Sequence, residues 1–161
     1  MNNHFYKICL LIFFNIILLS CKKDKPIDNN TGLTNTEPNK GVFICNEGNF
    51  LSGNAQLSFY NVSNDSVIQN LYEASNNSKL GDIFNSMSFF NGKAYLIINN
   101  SQKIIVTDSI LFNKTEEISG FTSPRFFLSV NNSKAYVTDL FANEVSVVDL
   151  SLNVISKTIP I

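Results

Sequence analysis

The phrase Lys93-Ala94-Tyr95 returns as Lys134-Ala135-Tyr136, and the register holds well beyond it. A shift of 41 residues superposes Ser88 on Ser129, Asn91 on Asn132, Val106 on Val147, Asp108 on Asp149, Leu111 on Leu152 and Ile118 on Ile159, with no gap. A weaker copy precedes these two. Its "GVFICN" at 41–46 matches "KAYLII" and "KAYVTD", and its Asn61 falls at the Asp108 and Asp149 position. That copy carries five extra residues within "NEGNFLSGN" at 46–54. A gapless repeat of this length is the mark of a structural unit used again, and it narrows the folds open to the chain more than any other feature.

Each period holds short runs rich in Phe, Ile, Val, Tyr and Thr, separated by clusters of Asn, Gly, Ser and Asp. This is strand-and-turn patterning, and no segment has a convincing helical period. The first strand of a unit reads "SMSFF" or "RFFLSV", the second "KAYLII" or "KAYVTD", the third "KIIVTD" or "EVSVVD", and the fourth lies near 111–118 or 152–159. Within "AYLII", Ala94, Leu96 and Ile98 point to one side and Tyr95 and Ile97 to the other, and both sides are apolar. A sheet covered on both faces explains that; an exposed sandwich sheet shows cleaner alternation. The expected fold is an all-β propeller of four-stranded antiparallel blades, in preference to an open solenoid or a sandwich. Blades are expected at about 41–80, 81–120 and 121–161. Closed propellers have about four to eight. The sequence therefore reads as truncated from a larger ring, with two exposed sheet faces and a tendency to aggregate when alone.

The first 40 residues read differently. Lys7 precedes an apolar run from Ile8 to Leu19 broken only by Asn15, too short to span a bilayer and suited to a signal peptide over 1–20. "LLSC" ends at Cys21 and resembles a lipobox, in which the thiol takes a diacylglycerol, a peptidase then cuts on the N-terminal side of the cysteine, and the new amine is usually acylated. More than one acyl chain makes such an anchor stable. Residues 22–40 are polar, with two prolines, and read as a flexible tether. Cys9 falls in the signal peptide and Cys45 in an apolar strand, so no intramolecular disulfide framework is available.

Composition excludes several chemistries. The only histidine, His4, lies in the signal peptide, which removes histidine bases and histidine metal ligands from the mature chain. Net charge is −1 and Arg125 is the sole arginine, so there is no basic patch for nucleic acid. No calcium-loop spacing of acids exists around Asp139 and Glu144, and no catalytic set is recognisable. No cofactor, metal or catalytic residue is assigned. The 24 asparagines read mainly as turn formers.

Propeller connectivity sorts the loops by face. Loops at 46–54, 98–102 and 139–144 share one face with 80–86 and 121–125, while the opposite face carries short turns. The richer face is the candidate binding face. Its candidates are Asn46, Glu47, Asn49, Phe50, Asp82, Asn85, Asn99, Asn100, Arg125, Asp139 and Phe141. Amide groups, a few carboxylates and aromatic surface suit a large polar ligand held without covalent chemistry.

"GVFICNEGNF", "LGDIFNSMSFFNGKAYLIINNSQKIIVTD", "TSPRFFLSVNNSKAYVTDLFANEVSVVDL" and the lipobox together resemble the YncE-like propeller lipoproteins of the bacterial outer membrane, and within them the cobalamin-capturing BtuG-like branch. The resemblance covers 41–161, the N-terminal part of a seven-bladed domain. It implies a lipid-anchored outer-membrane protein, expected at the cell surface, with the periplasmic side as the alternative because "CKKDK" has a single acid. It further implies capture of a corrinoid or other large polar ligand for a TonB-dependent receptor. A protein-interaction or purely structural propeller is the alternative function, since fold does not fix function.

Overall fold

A computed structural model describes residues 40–161. The expected signal peptide, Cys21 and most of the tether lie outside the described residues.

Eleven strands and one short helix make up the described chain. Strands β1 (Gly41–Asn46), β2 (Gln56–Asn61) and β3 (Ser66–Ile68) form the first sheet, in the order β1-β2-β3. Helix α1 (Leu71–Asn76) follows. Strands β4 (Phe84–Phe90), β5 (Lys93–Ile98), β6 (Lys103–Asp108) and β7 (Lys114–Ile118) form the second sheet in chain order. Strands β8 (Pro124–Asn131), β9 (Lys134–Asp139), β10 (Glu144–Asp149) and β11 (Val154–Pro160) form the third. All pairings are antiparallel meanders. The fold is all-β and propeller-like, with three blades that do not close a ring.

The second blade shows why the repeat is apolar on both sides. Ala94, Leu96, Ile98 and Ile105 pack with Leu57 and Phe59 of the first blade. Tyr95, Ile97, Ile104 and Val106 pack with Phe127, Ala135, Val137 and Val148 of the third. Alternate residues of one strand thus enter two different cores, and Leu96, Ile97 and Ile98 are all completely buried. Each such aliphatic side chain contributes about 1.5–3 kcal/mol of transfer free energy. The side-to-side assignment expected within "AYLII" is the one observed.

The first blade departs from the four-strand expectation. Its β1 occupies the register of β5 and β9, the second strands, so the inner-strand place filled by β4 and β8 in the other blades is not filled by a described residue. Its outer strand is only three residues long and gives way to α1, a helix that the patterning did not announce. Six residues are too few to display a helical period. Leu71 and Tyr72 of α1 are buried in the first core. Asn76 ties α1 to the second blade: its Nδ2 donates to the Phe112 carbonyl at 2.8 Å, and its Oδ1 accepts from the Lys114 N–H at 2.7 Å.

An aspartate or asparagine closes the outer turn of every blade. Asp108 accepts from the N–H groups of Ile110, Leu111 and Asn113, Asp149 from Ser151 and Leu152, and Asn61 from Ser63. The repeat conserves the turn chemistry because a short carboxylate or amide can satisfy backbone donors that the strand ladder leaves free.

Candidate functional site: the loop face

The loops leaving β1, β5 and β9 meet the two crossings into the next blades. Backbone bonds confirm the shared face: the Ala55 N–H donates to the Gly81 carbonyl at 3.2 Å, Phe84 to Glu47 at 3.3 Å, Asn99 to Ile83 at 2.8 Å and Leu140 to Ser123 at 2.9 Å. The sorting of loops by face made from sequence therefore matches the contacts.

Most of the candidate polar groups on this face are engaged in holding it together. Asp82 is buried, and its Oδ2 accepts from the Leu51 N–H at 2.8 Å and from the Asn100 side-chain amide at 2.5 Å. Its own N–H donates to the Ser101 hydroxyl at 2.9 Å. One carboxylate thus joins the long first loop to the second blade. The following residue, Ile83, has φ of 60°, a strained conformation for a β-branched side chain. The equivalent position in the third blade is Pro124, whose ring forbids positive φ. The strain therefore belongs to this one crossing. Asp82 Oδ1 is buried with no hydrogen-bond partner among the described residues.

The other amides and acids act likewise. Asn99 is buried and its Nδ2 donates to the Pro124 carbonyl at 3.0 Å. Asn85 Nδ2 and Ser86 Oγ both donate to the Arg125 carbonyl at 2.6 Å. Together these three fasten the second blade to the start of the third. Asp139 Oδ2 accepts from the Thr122 and Ser123 N–H groups at 2.9 and 2.8 Å, and Oδ1 from Phe141 at 3.1 Å. Asn46 Nδ2 donates to Ser58 Oγ at 2.7 Å within the first blade. Asn49 lies exposed in the long loop, and its N–H is capped by Asn54 Oδ1 at 2.8 Å. Gly48 makes that loop possible: φ is 80°, and a Cβ would come within 2.6 Å of the same Asn54 oxygen.

Among the remaining candidates, Glu47 is exposed, Phe50 is 66% and Phe141 76% exposed, and Arg125 is half-buried with no ion pair among the described residues. Two further residues belong with these and were passed over in the sequence: Leu51 and Leu140 are also exposed. Their signal was available, since each adjoins a chosen aromatic at a loop tip, in "NFLSGN" and "DLFANE". The face therefore has two chemical layers. Polar groups are turned inward as inter-blade fasteners, while the tips of the first and third loops carry apolar side chains. Among the described residues no cluster of three His, Cys, Asp or Glu side chains could hold a metal, and no helix is long and apolar enough to cross a membrane.

Comparisons with known proteins bear on the fold and on the family. A family model described as "Domain of unknown function (DUF5074)" matches residues 40–160. Two solved structures share the fold at low identity. One is the hydrazine synthase of Kuenenia stuttgartiensis, with a TM-score of 0.57, 15% identity, and coverage of 75% of this chain and 34% of that one. The other is a nidogen/laminin complex, with a TM-score of 0.53, 14% identity, and coverage of 70% and 41%. The chain thus spans less than half the length of either. No curated protein matches in sequence.

Proposed function

For a chain that belongs to the DUF5074 family, described only as a domain of unknown function, we propose non-enzymatic ligand binding on the loop face of a lipid-anchored propeller. The observation that carries this reading is the division of labour on that face. Asp82, Asn85, Asn99 and Asp139 spend their hydrogen bonds on holding loops and blades in place. Phe50, Phe141 and Glu47 are left exposed on that braced framework, beside a half-buried Arg125 with no ion pair among the described residues. Braced loops lose little conformational entropy on binding, so exposed aromatic and charged groups on them convert contact into affinity efficiently.

Strand direction adds a geometric argument. β1 enters from the turn face and ends at the loop face, so Lys40 sits at the turn face, where its carbonyl accepts from the Val62 N–H at 2.9 Å. A tether from a lipidated Cys21 would join the domain there. The loop face would then point away from the membrane, as capture of a ligand for delivery to a TonB-dependent receptor requires. The ligand suggested by the BtuG-like resemblance is a corrinoid. Residues 41–161 carry no histidine, so what these blades contribute to recognition would rest on hydrogen bonds and packing around the corrin side chains.

The apolar tips support a second reading, docking of a protein surface, because aromatic and leucine tips flanking a rigid face are what interface anchors look like. Titration calorimetry with cyanocobalamin separates the two. Saturable heat at micromolar protein that weakens about tenfold or more in Arg125→Ala or Phe141→Ala supports the corrinoid reading. No heat in the unsubstituted chain ends it.

A further inference from the structure

The face opposite the candidate binding loops carries a rim of its own. The same backbone bond marks it in every blade: the N–H of Val62 donates to the Lys40 carbonyl at 2.9 Å, that of Ser109 to Gly92 at 3.1 Å and that of Leu150 to Ser133 at 3.0 Å. The turns that begin there lead into the outermost strand of each blade. Such turns are ordinarily built from Gly, Asn, Asp and Ser. Here they also project aliphatic side chains: Val62 is 57% exposed, Ile110 60%, Leu111 52% and Leu152 70%. Leu111 and Leu152 stand at the same place in the repeat. Val62, Ile110 and Leu111 belong to blades that have a successor, so their exposure does not depend on where the sequence ends. Lysines accompany them. Lys40 precedes β1, and Lys93, Lys114 and Lys134 begin β5, β7 and β9, all at this face. Lys114 pairs with Glu117, while Lys93 and Lys134 form no ion pair among the described residues. The acids of these turns are bound within them: Asp65 accepts from the Tyr60 hydroxyl at 3.0 Å, and Asp108 and Asp149 accept from the N–H groups of Leu111 and Ser151. On the loop face the apolar tips sit instead beside the acids Glu47 and Glu144.

We infer that this turn face lies on the phospholipid surface of the membrane that holds the anchor. Val62, Ile110, Leu111 and Leu152 enter the headgroup region, and Lys40, Lys93 and Lys134 reach anionic headgroups. The inference rests on the lipid-anchored reading above and deepens it. The occupant follows from where the chain leaves the described domain. Residues 22–39 separate Cys21 from Lys40, and Lys40 is on this face. A flexible chain of that length has a root-mean-square span of roughly 20–25 Å. A surface tethered so closely meets the turn face at a high effective concentration, so weak contacts suffice. Aliphatic tips gain by leaving water for the headgroup boundary, and a lysine stem lies along apolar surface while its ammonium stays among the phosphates. Beside Cys21, Lys22, Lys23 and Lys25 outnumber Asp24, so the tether and the rim attract the same headgroups. Docked in this way, the domain holds its loop face away from the bilayer by contact and not by the tether alone.

The test uses the full chain expressed with its own leader in a bacterial host and reconstituted into vesicles of phosphatidylethanolamine and phosphatidylglycerol. Leu152→Cys and, as the loop-face control, Phe141→Cys each receive a fluorophore, with the labelled peptide identified by mass spectrometry. Both positions are exposed, so the fold should survive. Lipids carrying a nitroxide just below the headgroup are expected to quench the label at position 152 and to leave that at position 141 bright. Adding Leu111→Asp, in another blade, or replacing phosphatidylglycerol with phosphatidylcholine should each reduce the quenching at 152 severalfold. The mass of the Cys21 peptide is read from the same preparation. Absence of an acyl group there ends the anchored reading and this inference with it. An acylated Cys21 with position 152 unquenched, or with 152 and 141 quenched alike, overturns the inference and leaves the anchor standing. A label at 152 already shielded from aqueous iodide in detergent, without vesicles, assigns the cover to protein and overturns it too.

Discussion

The ring of Tyr95 stacks on that of Phe127 across the second and third blades, with centroids 4.2 Å apart and planes 15° from parallel. The two residues belong to different repeats, and their contact lies within the second core. Burial also pushes the Tyr95 phenol above its ordinary range.

Phe127→Ala should cost about 3–5 kcal/mol, the usual penalty for emptying an aromatic core position. A double-mutant cycle with Tyr95→Leu should return a coupling of about 0.5–1.5 kcal/mol for the ring pair. Urea unfolding curves measure both. A loss under 1 kcal/mol would mean that the second and third blades do not share one core.

Asp82→Ala should loosen the long first loop without unfolding the blades. The Leu51 N–H loses its acceptor, and a hydrogen bond to a charged group contributes about 1.5–3 kcal/mol. Hydrogen exchange at Leu51 should accelerate about tenfold or more, while exchange at Leu96 and Ile97 stays unchanged. Asp82→Asn, which keeps an oxygen available to the Leu51 N–H, should retain most of the protection. Unchanged exchange at Leu51 in Asp82→Ala would show that the tie is not made through this side chain.

Asp108 should contribute to the acid limb of stability. Partial burial works to raise its carboxyl, but the N–H groups of Leu111, Ile110 and Asn113 outweigh it and hold the group below its ordinary value of 3.8. A carboxyl with a depressed folded-state value adds stability that is present above its unfolded value and lost as pH falls through the folded one. Thermal melts between about pH 5 and pH 2 should therefore decline more shallowly in Asp108→Asn than in the unsubstituted chain. Parallel declines would remove Asp108 from the acid response.

Cys45 should be a slow nucleophile. Burial raises its thiol to about 11, which leaves roughly a hundredfold less thiolate at pH 8 than an unperturbed cysteine. Alkylation of the Cys45 peptide, followed by mass spectrometry, should be slow in the folded chain and rise sharply in denaturant. Rapid labelling in the native state would show that the first blade opens readily.

The lone acidic partner of two lysines should matter little. Glu117 accepts from Lys114 at 2.8 Å and Lys103 at 3.3 Å, all three at the surface. Glu117→Gln should change stability by at most about 1 kcal/mol, and less in high salt, because water screens such pairs. A larger loss in urea unfolding would assign the pair a packing role.

The sequence alone determined the blade. A repeat of 41 residues with apolar residues on both sides of "AYLII" can be satisfied only where a sheet is covered twice, and the covered sides are those that the alternation named. It also determined the loop face, because strand count and direction leave no freedom in where each connection emerges. What the tertiary structure decided is which polar residues are spoken for. Asp82, Asn85 and Asn99 look alike as ligand groups in the sequence, yet their partners lie 18 to 40 residues away on other segments. Hydrogen bonds between distant segments follow from how the blades pack, and no local pattern encodes them. The short helix α1 is decided in the same way, by the packing of Leu71 and Tyr72 into the first core and not by the repeat that all three blades share.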